Sequence, residues 1–313
     1  MRFSQIFNTV LAGFLLSLGC ANVHAQQDPQ YTNYMYNTIN VNPAYAGSRG
    51  ALSVFGLYRT QWVGLEGAPR TSAFSLHTPI RNSKLGLGVG FVNDRLGVMD
   101  DNTISVDVSY TIDLNAKGDS KLSFGIKGSA NLLDVEYSRL KQANPGDPFL
   151  AVDVENEFSP NIGAGIYWHN EKSYVGLSVP TFLENERVEN GSVYSAMNKR
   201  MHFFLMGGHI FEINPTLKFK PAALVKAVEG APLQVDATAN FLIHDKLTLG
   251  VAYRWDAAWS ALIGFQLTDG LFVGYSYDAE TTKLAKYNHG SHEIFLRFEL
   301  FNKYRRVNSP RFY

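Results

Sequence analysis

The chain has 313 residues, with 28 Lys+Arg against 28 Asp+Glu, 45% hydrophobic, 13% aromatic and 18% charged residues, and a mean hydropathy of −0.12. The balanced charge argues against nucleic acid as a main partner, because phosphate binding needs a basic surplus. No run of roughly 18 apolar residues supplies a helical membrane span.

In chain order, the first segment reads as an address. Arg2 gives a short positive region, Val10 to Leu18 an apolar core, and Val23-His24-Ala25 a cleavage site, so residues 1–25 are expected to be a cleaved signal peptide. A lipoprotein reading on Cys20 competes, but Ser17 stands where a lipobox usually has Leu. Cleavage after Ala25 removes the only Cys, and with it any disulfide, thiol nucleophile or Cys-based metal site. The segment 26–50 then precedes the first strand. It is punctuated by Pro and Asn but too aromatic for a free linker, so it is expected to pack against the barrel lumen, its periplasmic rim or a partner.

From residue 51 onward the hydrophobic period is two. Leu85, Leu87, Val89 and Phe91 share one face and Gly86, Gly88 and Gly90 the other. Ile104, Val106, Val108 and Tyr110 alternate with Ser105, Asp107 and Ser109 in the same way. Such segments predict strands near 51–59, 71–79, 84–93, 102–114, 121–133, 158–168 and 173–181. A second set follows near 201–213, 216–227, 231–244, 246–255, 258–268, 271–278 and 291–300. The connections after even-numbered strands are short, whereas 134–157, 182–200 and 279–290 are long. An even number of roughly ten-residue strands with this asymmetry predicts an all-β fold: a transmembrane antiparallel up-and-down β-barrel of about 14 strands over 51–300, with short periplasmic turns and longer extracellular loops. A soluble sandwich would need only about 100 residues. Tyr58, Trp62, Tyr167, Trp168, Tyr253, Trp255, Trp259, Tyr275 and Tyr277 lie near strand ends, where interfacial girdles belong. In the last strand Ile294, Leu296, Phe298 and Leu300 are placed outward, and Glu293, Arg297 and Glu299 inward. Residues 301–313 read as a basic periplasmic tail carrying Arg305, Arg306 and Arg311, expected either to meet lipid headgroups or a periplasmic partner or simply to be solvated.

No catalytic constellation emerges. The eight histidines include no HExxH pair and no consistent ligand spacing, so no metal and no cofactor is expected. Ser291 and His292 are neighbours on a strand and point to opposite faces, which keeps them apart as a nucleophile and base. Asp100-Asp101-Asn102 with Asn93-Asp94 reads as a solvated acidic loop rather than a Ca²⁺ site. The protein is expected not to be an enzyme and to have no small-molecule substrate. Small lumen-facing residues such as Gly86, Gly88, Ser105 and Ser109 leave room for a passive channel for small solutes, which a folded-in N-terminus would close.

Three short segments say more than a barrel requires. Asp28-Pro29-Gln30-Tyr31-Thr32-Asn33-Tyr34-Met35-Tyr36-Asn37 and Asn42-Pro43-Ala44-Tyr45-Ala46-Gly47 open the mature chain, and Gly290-Ser291-His292-Glu293-Ile294 opens the last strand. With the terminal Ser309-Pro310-Arg311-Phe312, these resemble the PorP/SprF family of type IX secretion system membrane proteins, found in Bacteroidetes-type bacteria. The resemblance implies a non-catalytic barrel in the cell outer membrane, embedded in its lipid and with both termini periplasmic. It implies partners among the secretion machinery's periplasmic ring or a large secreted surface adhesin used in gliding motility. Asp28, Pro29, Tyr31, Tyr34, Tyr36, Asn42, Pro43 and Tyr45, with Arg305, Arg306 and Arg311, are the candidate partner-binding residues. The tyrosines offer rigid contact area and the prolines fix the path. The competing expectation is an internal plug that stabilises the barrel.

Overall fold

Alternating apolar and polar residues give each strand two unlike faces, and a sheet of such strands is stable when it closes with its apolar face against lipid. The computed structural model describes residues 30–140, 152–184 and 200–300, with the small antiparallel pair 188–189 and 192–193. In the first half the strands are β1 Leu52–Thr60, β2 Arg70–Pro79, β3 Leu85–Leu96, β4 Met99–Asp113, β5 Lys121–Val135, β6 Val154–His169 and β7 Ser173–Val179. The second half comprises β8 His202–His209 (continuing as Phe211–Asn214), β9 Leu217–Val228, β10 Gln234–Ile243, β11 Leu247–Arg254, β12 Ala258–Gln266, β13 Leu271–Glu280 and β14 Ser291–Leu300.

Each strand pairs antiparallel with its sequence neighbours, and β14 pairs with β1 from Leu52↔Leu300 to Thr60↔His292, which closes a fourteen-stranded ring. The outer face is apolar: Leu87, Val89, Ile104, Val106, Ile294 and Leu296 are all exposed. The inner face is largely polar, with Ser105, Asp107, Lys127, Thr238, Asn240 and Glu293 buried. Apolar outside and polar inside is the reverse of a water-soluble fold and the arrangement a bilayer demands. Among the described residues no helix is long and apolar enough to cross a membrane, so crossing falls to the strands.

One end of the ring carries the connections 80–84, 114–120, 170–172, 215–216, 244–246 and 267–270. In the connection 244–246, His244 and Asp245 both have φ of 52°, the paired left-handed geometry that matches the twist of a hairpin. The opposite end carries the long connections 136–153, 180–201 and 281–290. Two expectations need correction. The loop expected after residue 93 is instead strand: β3 and β4 run on to Leu96 and Met99, leaving only Gly97-Val98 between them. Its acidic residues are spent on a cross-strand ladder, with Asn93 Nδ2 donating to Asn102 Oδ1 at 2.9 Å and Arg95 paired with Asp100 at 2.7 Å. The second is Tyr167, which faces the lumen at 2% exposure rather than the girdle. Tyr58, Trp255, Trp259, Tyr275 and Tyr277 do lie on the outer surface.

Candidate functional site: a filled lumen

A ring of fourteen strands encloses more space than its own side chains fill, and here the segment before β1 occupies it. Gln30 reaches Arg254 at the long-loop end, and Arg49 reaches Glu299 at the short-turn end, so residues 30–50 traverse the lumen from one end to the other. The first described residue therefore lies at the opposite end of the barrel from Leu300, not beside it. The physical reason is that the donors and carboxylates that fix it are distributed along the whole lumen.

Local chemistry shapes the segment. A single helical turn, α1 (Thr38–Val41), ends at Asn42, whose Oδ1 accepts the Ala44 N–H at 3.0 Å and starts a 3₁₀ turn over Pro43–Tyr45. Pro43 sits where its missing N–H costs nothing. The Asn42 Nδ2 donates at 3.0 Å to the carbonyl of Ile166 on β6, tying the turn to the wall.

Three groups of contacts hold the segment. At the long-loop end, Glu293 of β14 accepts the backbone N–H groups of Thr32 and Asn33, both at 3.1 Å, and the Asn33 side-chain amide at 2.6 Å. Arg59 of β1 bridges Glu293 at 3.1 Å and Asp278 of β13 at 2.7 Å, and Thr32 Oγ1 donates to Asp278 at 2.7 Å. All four side chains are essentially buried, so the single guanidinium and the donors of the segment together compensate two carboxylates.

In the middle, Tyr36 stacks on Phe272 and tilts against Phe295, at centroid distances of 5.2 and 4.8 Å, with the Arg297 guanidinium 5.6 Å from its ring. The wall opposite is notched by glycine. A Cβ on Gly88 would overlap the Ile39 side chain, one on Gly125 the backbone of Pro43 and Ala44, and one on Gly165 the Asn42 amide. At the short-turn end, Tyr45 meets His77 and Tyr167 edge-on, Ser109 Oγ donates to the Ala46 carbonyl at 2.6 Å, and Arg49 forms a fork–fork pair with Glu299. Gly47, at φ of 72°, donates its N–H to His77 Nδ1 at 3.1 Å.

Above the segment, open toward the long loops, lies a cavity of about 320 Å³ lined in part by Tyr31, Tyr34, Met99, Phe204 and Leu224. The segment is its floor.

Of the candidate residues, Tyr34, Asn42 and Tyr45 are buried against the wall at 2%, 0% and 6% exposure, Tyr36 and Pro43 are buried as well, and Tyr31 is half-buried at the cavity. Asp28, Pro29, Arg305, Arg306 and Arg311 lie outside the described residues. The structure joins two of the three motifs directly: Thr32 and Asn33 of the first are bound by Glu293 of the third. Sequence reasoning missed Arg59, Asp278 and Glu299 as partners of the segment; inward charges on strands were the available signal. Ser291 turns inward, its Oγ accepting the Trp62 N–H at 3.2 Å, while His292 bonds the Tyr275 hydroxyl at 2.6 Å on the outer side. Among the described residues no group of three or more His, Cys, Asp or Glu is arranged to hold a metal ion.

A family model described as "Type IX secretion system membrane protein PorP/SprF" matches residues 23–298. Among solved structures, the chain is similar to the Acinetobacter baumannii outer membrane protein Omp33 at 9% identity, covering 81% of this chain and 100% of that one with a TM-score of 0.48. The CymD monoaromatic hydrocarbon channel is 10% identical, with 87% and 94% covered and a TM-score of 0.47. The NanC porin is 11% identical, with 80% and 100% covered and a TM-score of 0.42. No curated protein matches the chain.

Proposed function

Because the chain belongs to the PorP/SprF family of type IX secretion system membrane proteins, we propose that it is a non-enzymatic outer-membrane component of that system, working through protein–protein contacts. In this reading it supports the secretion or surface attachment of large proteins such as gliding adhesins, and its partners are the periplasmic ring or one such adhesin. The observation that carries the reading is the filled lumen: residues 30–50 run its length and are fixed to both ends, which favours a scaffold over a conduit. The described parts of the long connections, 136–140, 152–153, 180–184 and 281–290, lie at one end and offer contact surface there. Affinity purification of the tagged protein from native outer membranes in mild detergent, followed by mass spectrometry, tests it. Co-purification of ring components or of a large surface protein is the expected result. A barrel that purifies alone, while other membrane complexes in the same extract stay intact, would count against it.

A further inference from the structure

We propose that residues 30–50 have a second role, independent of any secretion partner: they are the template around which the barrel closes. The closing seam is the pairing of β1 with β14, strands separated by the rest of the barrel, and bringing such distant segments together carries a loop-closure cost. The segment directly precedes β1 and carries the groups that hold β14. Thr32 and Asn33 bind Glu293 near one end of that strand, and Arg49 binds Glu299 near the other. Arg59 adds the link from β1 itself, contacting Thr32 Oγ1 at 3.0 Å and Glu293 at 3.1 Å. Every one of these groups is buried, so each finds its partner only when segment and seam are together.

The order of events follows from the packing. Ile39 lies in the notch of Gly88, Ala44 over Gly125, and the Asn42 amide against both Gly165 and Gly176, so the segment is keyed to β3, β5, β6 and β7 at once. Sliding Tyr34, Tyr36 and Tyr45 along the axis of a finished ring would drive bulky side chains past walls that fit the segment at van der Waals contact. Wrapping the strands around a segment already in place requires no such passage.

The test uses the full chain carrying Cys20→Ser and Ile39→Cys, which leaves one thiol at the keyed position. During refolding from urea into detergent micelles, two time courses are followed: appearance of the fast-migrating, heat-modifiable band that marks a closed barrel, and protection of the thiol from a maleimide. A template predicts protection before or together with closure. Closed barrel that accumulates while the thiol still reacts at the unfolded rate would overturn the proposal. Thr32→Val and Asn33→Ala provide the second measurement: they remove the side-chain hydrogen bonds of the latch to Asp278, Arg59, Ser276 and Glu293 and leave its two backbone N–H groups in place. Closure is expected to slow by about tenfold or more with a smaller change in unfolding rate, as for contacts already made in the transition state. Thr32→Ser, which keeps the hydroxyl, is expected to recover the wild-type rate. An effect confined to unfolding would mean the latch forms after closure and would sink the idea.

Discussion

The carboxylate of Glu293 accepts the backbone N–H of Asn33 at 3.1 Å, joining residues 260 positions apart inside the barrel. Through the same group Arg59 is compensated, so Glu293 serves β14, β1 and the lumenal segment together. Glu293→Ala strands two backbone donors and takes from the Arg59 guanidinium one of its two paired carboxylates, leaving Asp278. Breaking a buried ion pair from one side costs about 3–5 kcal/mol. The temperature at which the band becomes heat-modified should fall clearly for Glu293→Ala and less for Glu293→Gln, which retains one acceptor oxygen. An unchanged temperature for the alanine variant would refute the latch as described.

Two glycines on β5 give a matched comparison. A methyl at Gly125 would overlap the backbone of the Pro43-Ala44 turn, whereas one at Gly128 meets nothing within 4 Å. Gly125→Ala is therefore expected to destabilise the barrel by about 1–3 kcal/mol, the range for overpacking a fitted interior. Gly128→Ala should be neutral or slightly stabilising, since Gly weakens a strand interior. Denaturant titration of both variants in detergent, read by tryptophan fluorescence, checks the contrast.

These relationships explain what could be read beforehand and what could not. The strands were legible because a lipid-facing residue at every second position leaves a period of two: Leu85 to Phe91 and Ile294 to Leu300 are exposed as that pattern requires. The residues 30–50 have no such period, since a segment surrounded by wall is contacted on all sides. Their aromatic content announced packing but not a direction through the lumen. Gly86 and Gly88 looked like space left open, yet they are notches that receive the Ala46 carbonyl and Ile39. Tyr167 misled because a tyrosine near a strand end suits an interface or a lumen equally well, and only its inward parity in β6 decides.

The course of the segment makes a prediction about sidedness. Gln30 lies with the long connections, while Arg81 lies in the short turn after β2. With Cys20 replaced by Ser, single cysteines at Tyr287 and at Arg81 mark the two ends, Tyr287 being 70% exposed in the 281–290 connection. In intact cells a membrane-impermeant maleimide should label Tyr287→Cys and spare Arg81→Cys until the outer membrane is opened. The reverse pattern would place the short turns outside and invert the orientation inferred from loop length.

Tyr36 separates a structural from a purely partner-facing role for the aromatic motif. Its ring packs against both Phe272 and Phe295, which also touch each other, so Tyr36→Ala opens a cavity in the lumenal core. Removal of a buried aromatic ring costs about 3–5 kcal/mol, and the level of heat-modifiable barrel in the outer membrane should drop. If that level stays normal while secretion or surface attachment is lost, the motif works mainly on a partner instead.

An unfilled ring of fourteen strands would leave an aqueous path, lined in part by the glycines of β3 and by Ser105, Asp107 and Ser109 of β4. Here that path is spanned by backbone and aromatic side chains: Ser109 donates to the Ala46 carbonyl at 2.6 Å, and Tyr45 and Tyr36 pack against opposite walls. Because polar contacts at both ends and keyed packing in between must be broken together for the segment to leave, a brief partial loosening does not open a continuous channel. Wild-type protein in a planar lipid bilayer is therefore expected to be electrically silent, apart from rare, short openings. Steady ohmic steps from the purified wild type would show that the segment vacates the lumen at rest, and would favour a solute channel over a scaffold.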